Sequence, residues 1–133
     1  MGITRQYGTM KNGSFRFGPA NPSIDLSTVS SKGEFSLSIT VNVRDAKGSV
    51  AQGEEIIFTV DKHPEWLSIP AVTAITNNSG NAVLTIHGRV GSAAESGYVA
   101  FKVTNKNNPE QNGSGMIAFT GKHGGRMKRL FFF

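Results

Sequence analysis

The sequence predicts an all-β fold, a sandwich of about seven short strands. Apolar residues recur with a period of two in several separate segments, which is the spacing that gives a strand one buried face. Sixteen Gly and many Asn, Ser and Thr interrupt those segments at short intervals, as turns between strands require. No stretch longer than about ten residues carries an apolar stripe at helical spacing, and Ala93-Ala94-Glu95 amounts to one helical turn at most. With 133 residues and a hydrophobic fraction of 38%, the chain suits one domain built on one core.

Residues 1–23 show no sustained period and are punctuated by Gly8, Gly13, Gly18, Pro19 and Pro22, so an extended N-terminal arm is expected, with Tyr7, Phe15 and Phe17 as its aromatic anchors. A short edge strand is expected within Ile24 to Val29. The strongest signal follows it: Phe35, Leu37, Ile39, Val41 and Val43 alternate without a break against Ser36, Ser38, Thr40 and Asn42. Asp45-Ala46-Lys47-Gly48 then supplies a turn, Asp accepting from its own backbone and Gly taking a positive φ.

Glu55 to Val60 is the next strand, with Ile56, Phe58 and Val60 on one face. Pro64 and Pro70 bracket a segment whose Trp66 is expected to cap one end of the core. Asn77-Asn78-Ser79-Gly80 is a second strong turn, leading into a strand from Asn81 to His87. Gly88 to Gly97 reads as a loop, Tyr98 to Thr104 as a strand with Val99, Phe101 and Val103 inward, Asn105 to Gly115 as a loop, and the last strand buries Ile117 and Phe119.

The charge is unevenly placed. Residues 1–23 hold Arg5, Lys11 and Arg16 and no acid; residues 122–133 hold Lys122, Arg126, Lys128 and Arg129 and no acid. All nine acids fall between, so the net charge of +5 resides in the two ends. The C-terminal tail, 122–133, closes on Phe131, Phe132 and Phe133, an apolar run that soluble monomers rarely leave in water. The chain has no Cys, so packing alone holds the core and no thiolate metal site can form. There is no apolar run of signal-peptide length at the start and none of about 18 residues anywhere, so neither a classical export signal nor a membrane span is expected.

Two segments carry a resemblance. Val41 to Phe58, with Asp45-Ala46-Lys47-Gly48, a second glycine at Gly53 and then Ile56 and Phe58, resembles the bacterial immunoglobulin-like domain of the invasin and intimin type. Ala74 to Thr85, with Gly80, Ala82 and Leu84 after a turn, is similar to a second element of that family. One departure is Val50, where the family usually has Pro. The resemblance covers about residues 35–121 and implies an immunoglobulin-like β-sandwich over residues 24–121, flanked by the two arms, with Asp45, Gly48, Gly53 and Gly80 as its structural turns.

Catalytic chemistry finds no support in the residue pattern. His63, His87 and His123 lie in three separate segments, and His63 between Asp61 and Glu65 reads as a solvated loop. No Gly-x-Ser-x-Gly elbow occurs, Glu54 and Glu55 point to opposite faces of a strand, and Gly121-Lys122-His123-Gly124-Gly125 lacks phosphate-loop spacing. No catalytic, cofactor-binding or metal-binding residue is therefore expected, and no enzyme.

Small immunoglobulin-like domains of this kind are similar to those that decorate bacteriophage particles. That implies a non-catalytic virion protein made in the host cytoplasm, a capsid decoration or cementing protein attached through its arms. The residues expected to bind the partner are Arg5, Tyr7, Lys11, Phe15, Arg16 and Phe17 at one end and Arg126, Lys128, Arg129, Phe131, Phe132 and Phe133 at the other. Capsid or other virion proteins are the expected partners, with the chain oligomeric or lattice-bound. Weak contact with cell-surface glycans is placed on the loops Asn77 to Gly80 and Asn105 to Gly115; nucleic acid and membrane are not expected partners. The other readings are an adhesin or spacer domain of a bacterial surface protein, or a phage tail component.

Overall fold

A computed structural model describes residues 13–123 together with the backbone of residues 5–7. Among them ten strands occur in the order β1 (Arg5–Tyr7), β2 (Ser14–Gly18), β3 (Ser23–Asp25), β4 (Glu34–Arg44), β5 (Glu55–Thr59), β6 (Leu67–Ser68), β7 (Val72–Ile75), β8 (Asn81–Val90), β9 (Gly97–Asn105) and β10 (Asn112–Thr120), with one 3-10 turn at Leu26–Thr28. They form two five-stranded sheets, ordered β1-β2-β4-β8-β6 and β3-β10-β9-β5-β7. Every pairing is antiparallel except β3 with β10. The fold is the β-sandwich that the alternation and turn spacing predict, of the immunoglobulin-like kind that the resemblance implies, with ten strands among the described residues where about seven were expected.

The period of two decides which atoms fill the space between the sheets. On β4, Phe35, Ile39, Val41 and Val43 point inward while Ser36, Ser38 and Thr40 face solvent. Ala82, Leu84, Ile86 and Val90 on β8, Val99, Phe101 and Val103 on β9, and Ile117 and Phe119 on β10 complete the filling. Phe58 and Leu84 are fully buried, each contributing about 2 kcal/mol by removal of apolar surface from water. Trp66 meets Phe119 edge-on at 5.4 Å between ring centroids, and Phe119 meets Phe35 at 5.8 Å, so the tryptophan caps one end of the core as its sequence position suggests.

Several boundaries differ from the sequence reading. The expected N-terminal arm contains β2, which pairs with β4 from Ser14 opposite Arg44 to Gly18 opposite Thr40. Phe15 and Phe17 are buried in the core, at 0% and 1% exposure, and are packing residues rather than anchors for a partner. The reason is local: Phe15-Arg16-Phe17 is itself a period-two pattern, short enough to be masked by the glycines and prolines around it. After Gly18 the chain crosses to the other sheet, where Ala20 O accepts from Met116 N at 3.0 Å and Pro22 O from Ala118 N at 2.9 Å, and β3 follows. The edge strand expected over 24–29 is thus shorter, ending where Asp25 caps the 3-10 turn.

At the other end of the sequence, β8 runs on to Val90 rather than stopping at His87, and β10 begins at Asn112, inside the segment expected to be a loop. Gly88 and Gly115 make both extensions possible. A Cβ on Gly88 would lie 2.4 Å from the Phe35 ring, and one on Gly115 would lie 2.2 Å from Ala20 O. These glycines permit close packing in strand interiors, where a glycine read from sequence suggests a break. His123, assigned from sequence to the tail, is buried within the sandwich body.

Candidate interaction surfaces

The loops gather at two ends. At one, called here the lower end, lie residues 45–53, 76–80 and 106–111; Gln111 Nε2 donates to Arg44 O at 3.1 Å and ties both sheets together there. At the upper end lie residues 26–33, 61–66, 91–96 and 121–123, joined by the contact of His123 Nε2 with Ser30 O at 2.8 Å and by Ser96 Oγ donating to Gly121 O at 3.0 Å.

The lower end spends its polar side chains on the fold. Asp45 Oδ1 accepts from Lys47 N and Ser49 N at 2.9 and 3.0 Å, and Gly48 closes the turn with φ +85°. Asn77 Oδ1 accepts from Ser79 N and Asn81 N at 2.9 and 3.0 Å, with Gly80 at φ +77°. Gly53, also at positive φ, donates its N–H to Thr76 O. Asp45, Gly48, Gly53 and Gly80 thus all lie in turns of the lower end. Asn105, fully buried, donates through Nδ2 to Glu54 Oε1 at 2.9 Å and Gln111 Oε1 at 2.8 Å, while its Oδ1 accepts from Asn107 N. The segment from Asn105 to Gly115 is not one exposed loop: Lys106, Asn107, Pro109, Glu110 and Ser114 are what it presents to solvent.

The outward faces differ. On the first sheet, Ser36, Ser38 and Thr40 of β4 stand opposite His87, Thr85 and Val83 of β8, four hydroxyl-bearing side chains with an exposed imidazole and an exposed valine. At its upper margin a shallow cavity of about 730 Å³ is bordered by Ser36, Ser68, Pro70 and His87 and by the exposed Glu34–Arg89 pair, 3.3 Å apart. On the second sheet Tyr98, 73% exposed, stands opposite Ala118, and Met116 opposite Ala100, making a small apolar patch.

Of the residues expected to bind a partner, Arg16 is exposed on β2, opposite Asn42. Arg5 and Tyr7 belong to β1, paired along the backbone with β2. Lys11, Arg126, Lys128, Arg129, Phe131, Phe132 and Phe133 lie outside the described residues. Residues 13–123 contain as many acids as cations, which leaves the entire excess of positive charge to the segments before and after them. Asp61, His63 and Glu65 are all exposed, and no group of three metal-ligating side chains occurs among the described residues.

Sequence reasoning missed His123. Its ring is 8% exposed, and because a carbonyl can only accept, Nε2 carries the proton that meets Ser30 O. Its Nδ1 is buried and has no hydrogen-bond partner among the described residues. The only hint was its place directly after the last strand. A cavity of about 330 Å³ adjoins it, lined by Ser31, Lys32, Arg89, Val90, Gly91 and Ser92.

No known family model and no curated protein matches the chain. Among solved structures it is similar to SSP-19, an MSP-domain protein like family member in Caenorhabditis elegans, at 12% identity and a TM-score of 0.48, over 79% of this chain and 98% of that one. It is similar to the secreted serine protease VesC from Vibrio cholerae at 11% identity and a TM-score of 0.45, covering 83% of this chain but spanning 23% of the protease chain. A third likeness is to AggA, the major subunit of aggregative adherence fimbriae type I from Escherichia coli, at 13% identity and a TM-score of 0.40, over 81% of this chain and 93% of that one.

Proposed function

We propose that the protein is a non-catalytic structural component of a bacteriophage virion, a decoration or cementing protein held to the capsid by its chain ends while the sandwich faces outward. The observation that carries this reading is the division of the chain into a charge-balanced body and basic ends, of which the C-terminal one closes on Phe131, Phe132 and Phe133. Basic segments are steered towards an acidic surface, and terminal aromatic side chains add apolar contact once they arrive. The partner is a capsid or other virion protein, whose repeated copies offer many equivalent positions. The polar clusters of the lower end serve the fold, which supports a binding role over a catalytic one.

Sedimentation with undecorated capsids tests this directly. Deleting residues 1–23 would remove the buried Phe15 and Phe17, so the informative variants leave the body intact: Arg126, Lys128 and Arg129 changed to Gln, and separately Phe131, Phe132 and Phe133 changed to Ser. Intact protein is expected to bind saturably, with binding weakened by the first change, more so at low salt, and abolished by the second. No binding by intact, folded protein overturns the reading and favours a tail component or a bacterial surface adhesin or spacer.

A further inference from the structure

We infer that the upper end holds a site for an oxyanion, a carboxylate or sulfate-like group, in the cavity between the Ser31–Lys32 loop and the end of β8. The cavity of about 330 Å³ is lined by Lys32 and Arg89 as cations and by Ser31 and Ser92 as hydroxyls, and among the described residues no carboxylate lines it. Glu34 reaches Arg89 from the neighbouring side, but that pair is 3.3 Å long with both side chains more than half exposed, so it is weak and readily exchanged.

His123 supplies the second observation. A buried imidazole nitrogen without a partner costs about 1–3 kcal/mol, a cost that structures accept where something else completes the bond. With Nε2 committed to Ser30 O, Nδ1 offers a lone pair in the neutral ring and a proton in the imidazolium. The charged groups around it are Lys32 and Arg89 on the cavity wall, Lys122 beside it in the chain and Glu34 through Arg89. An oxyanion settling between Lys32 and Arg89 adjoins His123, which lines the same cavity, and Nδ1 in the imidazolium form has a proton to donate to it.

Two sources present this chemistry: a free anion, or an Asp or Glu side chain of a protein partner. The test follows the His123 ring resonances of the full chain, labelled at histidine, during titration with sodium sulfate at constant ionic strength and, separately, with a short peptide of Asp and Glu. The expected result is a saturable shift of His123, with exposed His63 as internal reference. In Lys32→Ala and Arg89→Gln, both exposed positions where the fold is retained, the affinity drops about tenfold or more; in Lys47→Ala, at the lower end, it is unchanged. Saturation by the peptide alone assigns the source to a protein carboxylate, and saturation by sulfate shows that a free anion suffices. Absence of a saturable shift with either probe overturns the inference, as does a shift that survives in both variants. Capsid binding through the tail is read in a different assay with different residues, so either idea can fail alone.

Discussion

The two ends of the sandwich use buried polar groups in opposite ways. At the lower end Asn105 joins Glu54 and Gln111, and Gln111 reaches Arg44 O, linking residues that are 51, 6 and 67 positions apart in sequence. At the upper end the aromatic packing of Phe35, Trp66 and Phe119 closes the core, while His123 makes one hydrogen bond and leaves Nδ1 without a partner. A buried network strengthens the fold only when its members are all satisfied. The lower end meets that condition at Asn105, a structural lock, and leaves Asn42 Oδ1 buried without a partner among the described residues; the upper end does not meet it at His123, which lines a cavity that a ligand can enter.

The largest expected effect tests the lock. Asn105→Ala removes both donors and the acceptor of a fully buried amide, leaving Glu54 Oε1, Gln111 Oε1 and Asn107 N without the partner they share. A loss of about 3 kcal/mol is expected in urea unfolding monitored by Trp66 fluorescence, at the upper limit for one unsatisfied group because three are affected. A loss below about 1 kcal/mol, the size of an ordinary exposed hydrogen bond, would mean that water takes over the network and that the lower end is no lock.

A smaller effect is expected at the opposite end. His123→Phe gives up the bond to Ser30 O, whose residue is exposed and can turn its carbonyl to water, and it removes the unsatisfied Nδ1. The two changes oppose one another, so stability in the same urea assay is expected to move by no more than about 1 kcal/mol in either direction. If His123→Phe costs as much as Asn105→Ala, the imidazole is part of the structural framework and the contrast between the ends disappears.

What the sequence made legible follows the range of the interactions. The alternation from Phe35 to Val43 and the turns at Asp45–Gly48 and Asn77–Gly80 are decided by residues within a few positions of one another, and each formed as read. The errors arose where a distant partner decides. Gly115 looks like a loop residue until Phe101 and Ala20 are known to press against β10, and only then is it understood as a strand residue without room for a Cβ. Phe15 and Phe17 were assigned to an arm because three residues of alternation weigh little against the surrounding glycines and prolines; the open side of β4 turned them into core. Of the candidate oxyanion site, no part was visible in advance, since Lys32, Arg89 and His123 come from three segments that meet through Ser30, Gly33 and Val90.

The smallest effect concerns a pair at the upper end that forms locally, between Asp25 and Ser27. The Ser27 hydroxyl donates to Asp25 Oδ1 at 2.6 Å and Ser27 N donates to the same oxygen at 3.0 Å, two positions along the chain. The hydroxyl bond first, and the backbone bond second, favour the ionised carboxylate and hold Asp25 below its ordinary value of 3.8. Because the folded value is the lower one, the contribution to stability is present above the unfolded value and is lost as the pH falls through the folded value. Asp25 is fully exposed, so the effect on unfolding is small, and the carboxyl titration itself is the quantity to follow. Carbon-detected NMR is expected to place the Asp25 midpoint below 3.8 in the intact protein. In Ser27→Ala, which keeps the backbone donor and deletes the hydroxyl, the midpoint moves back part of the way. A midpoint unchanged by Ser27→Ala would assign the stabilisation to the backbone turn alone, making this corner of the upper end a property of chain geometry rather than of the serine side chain.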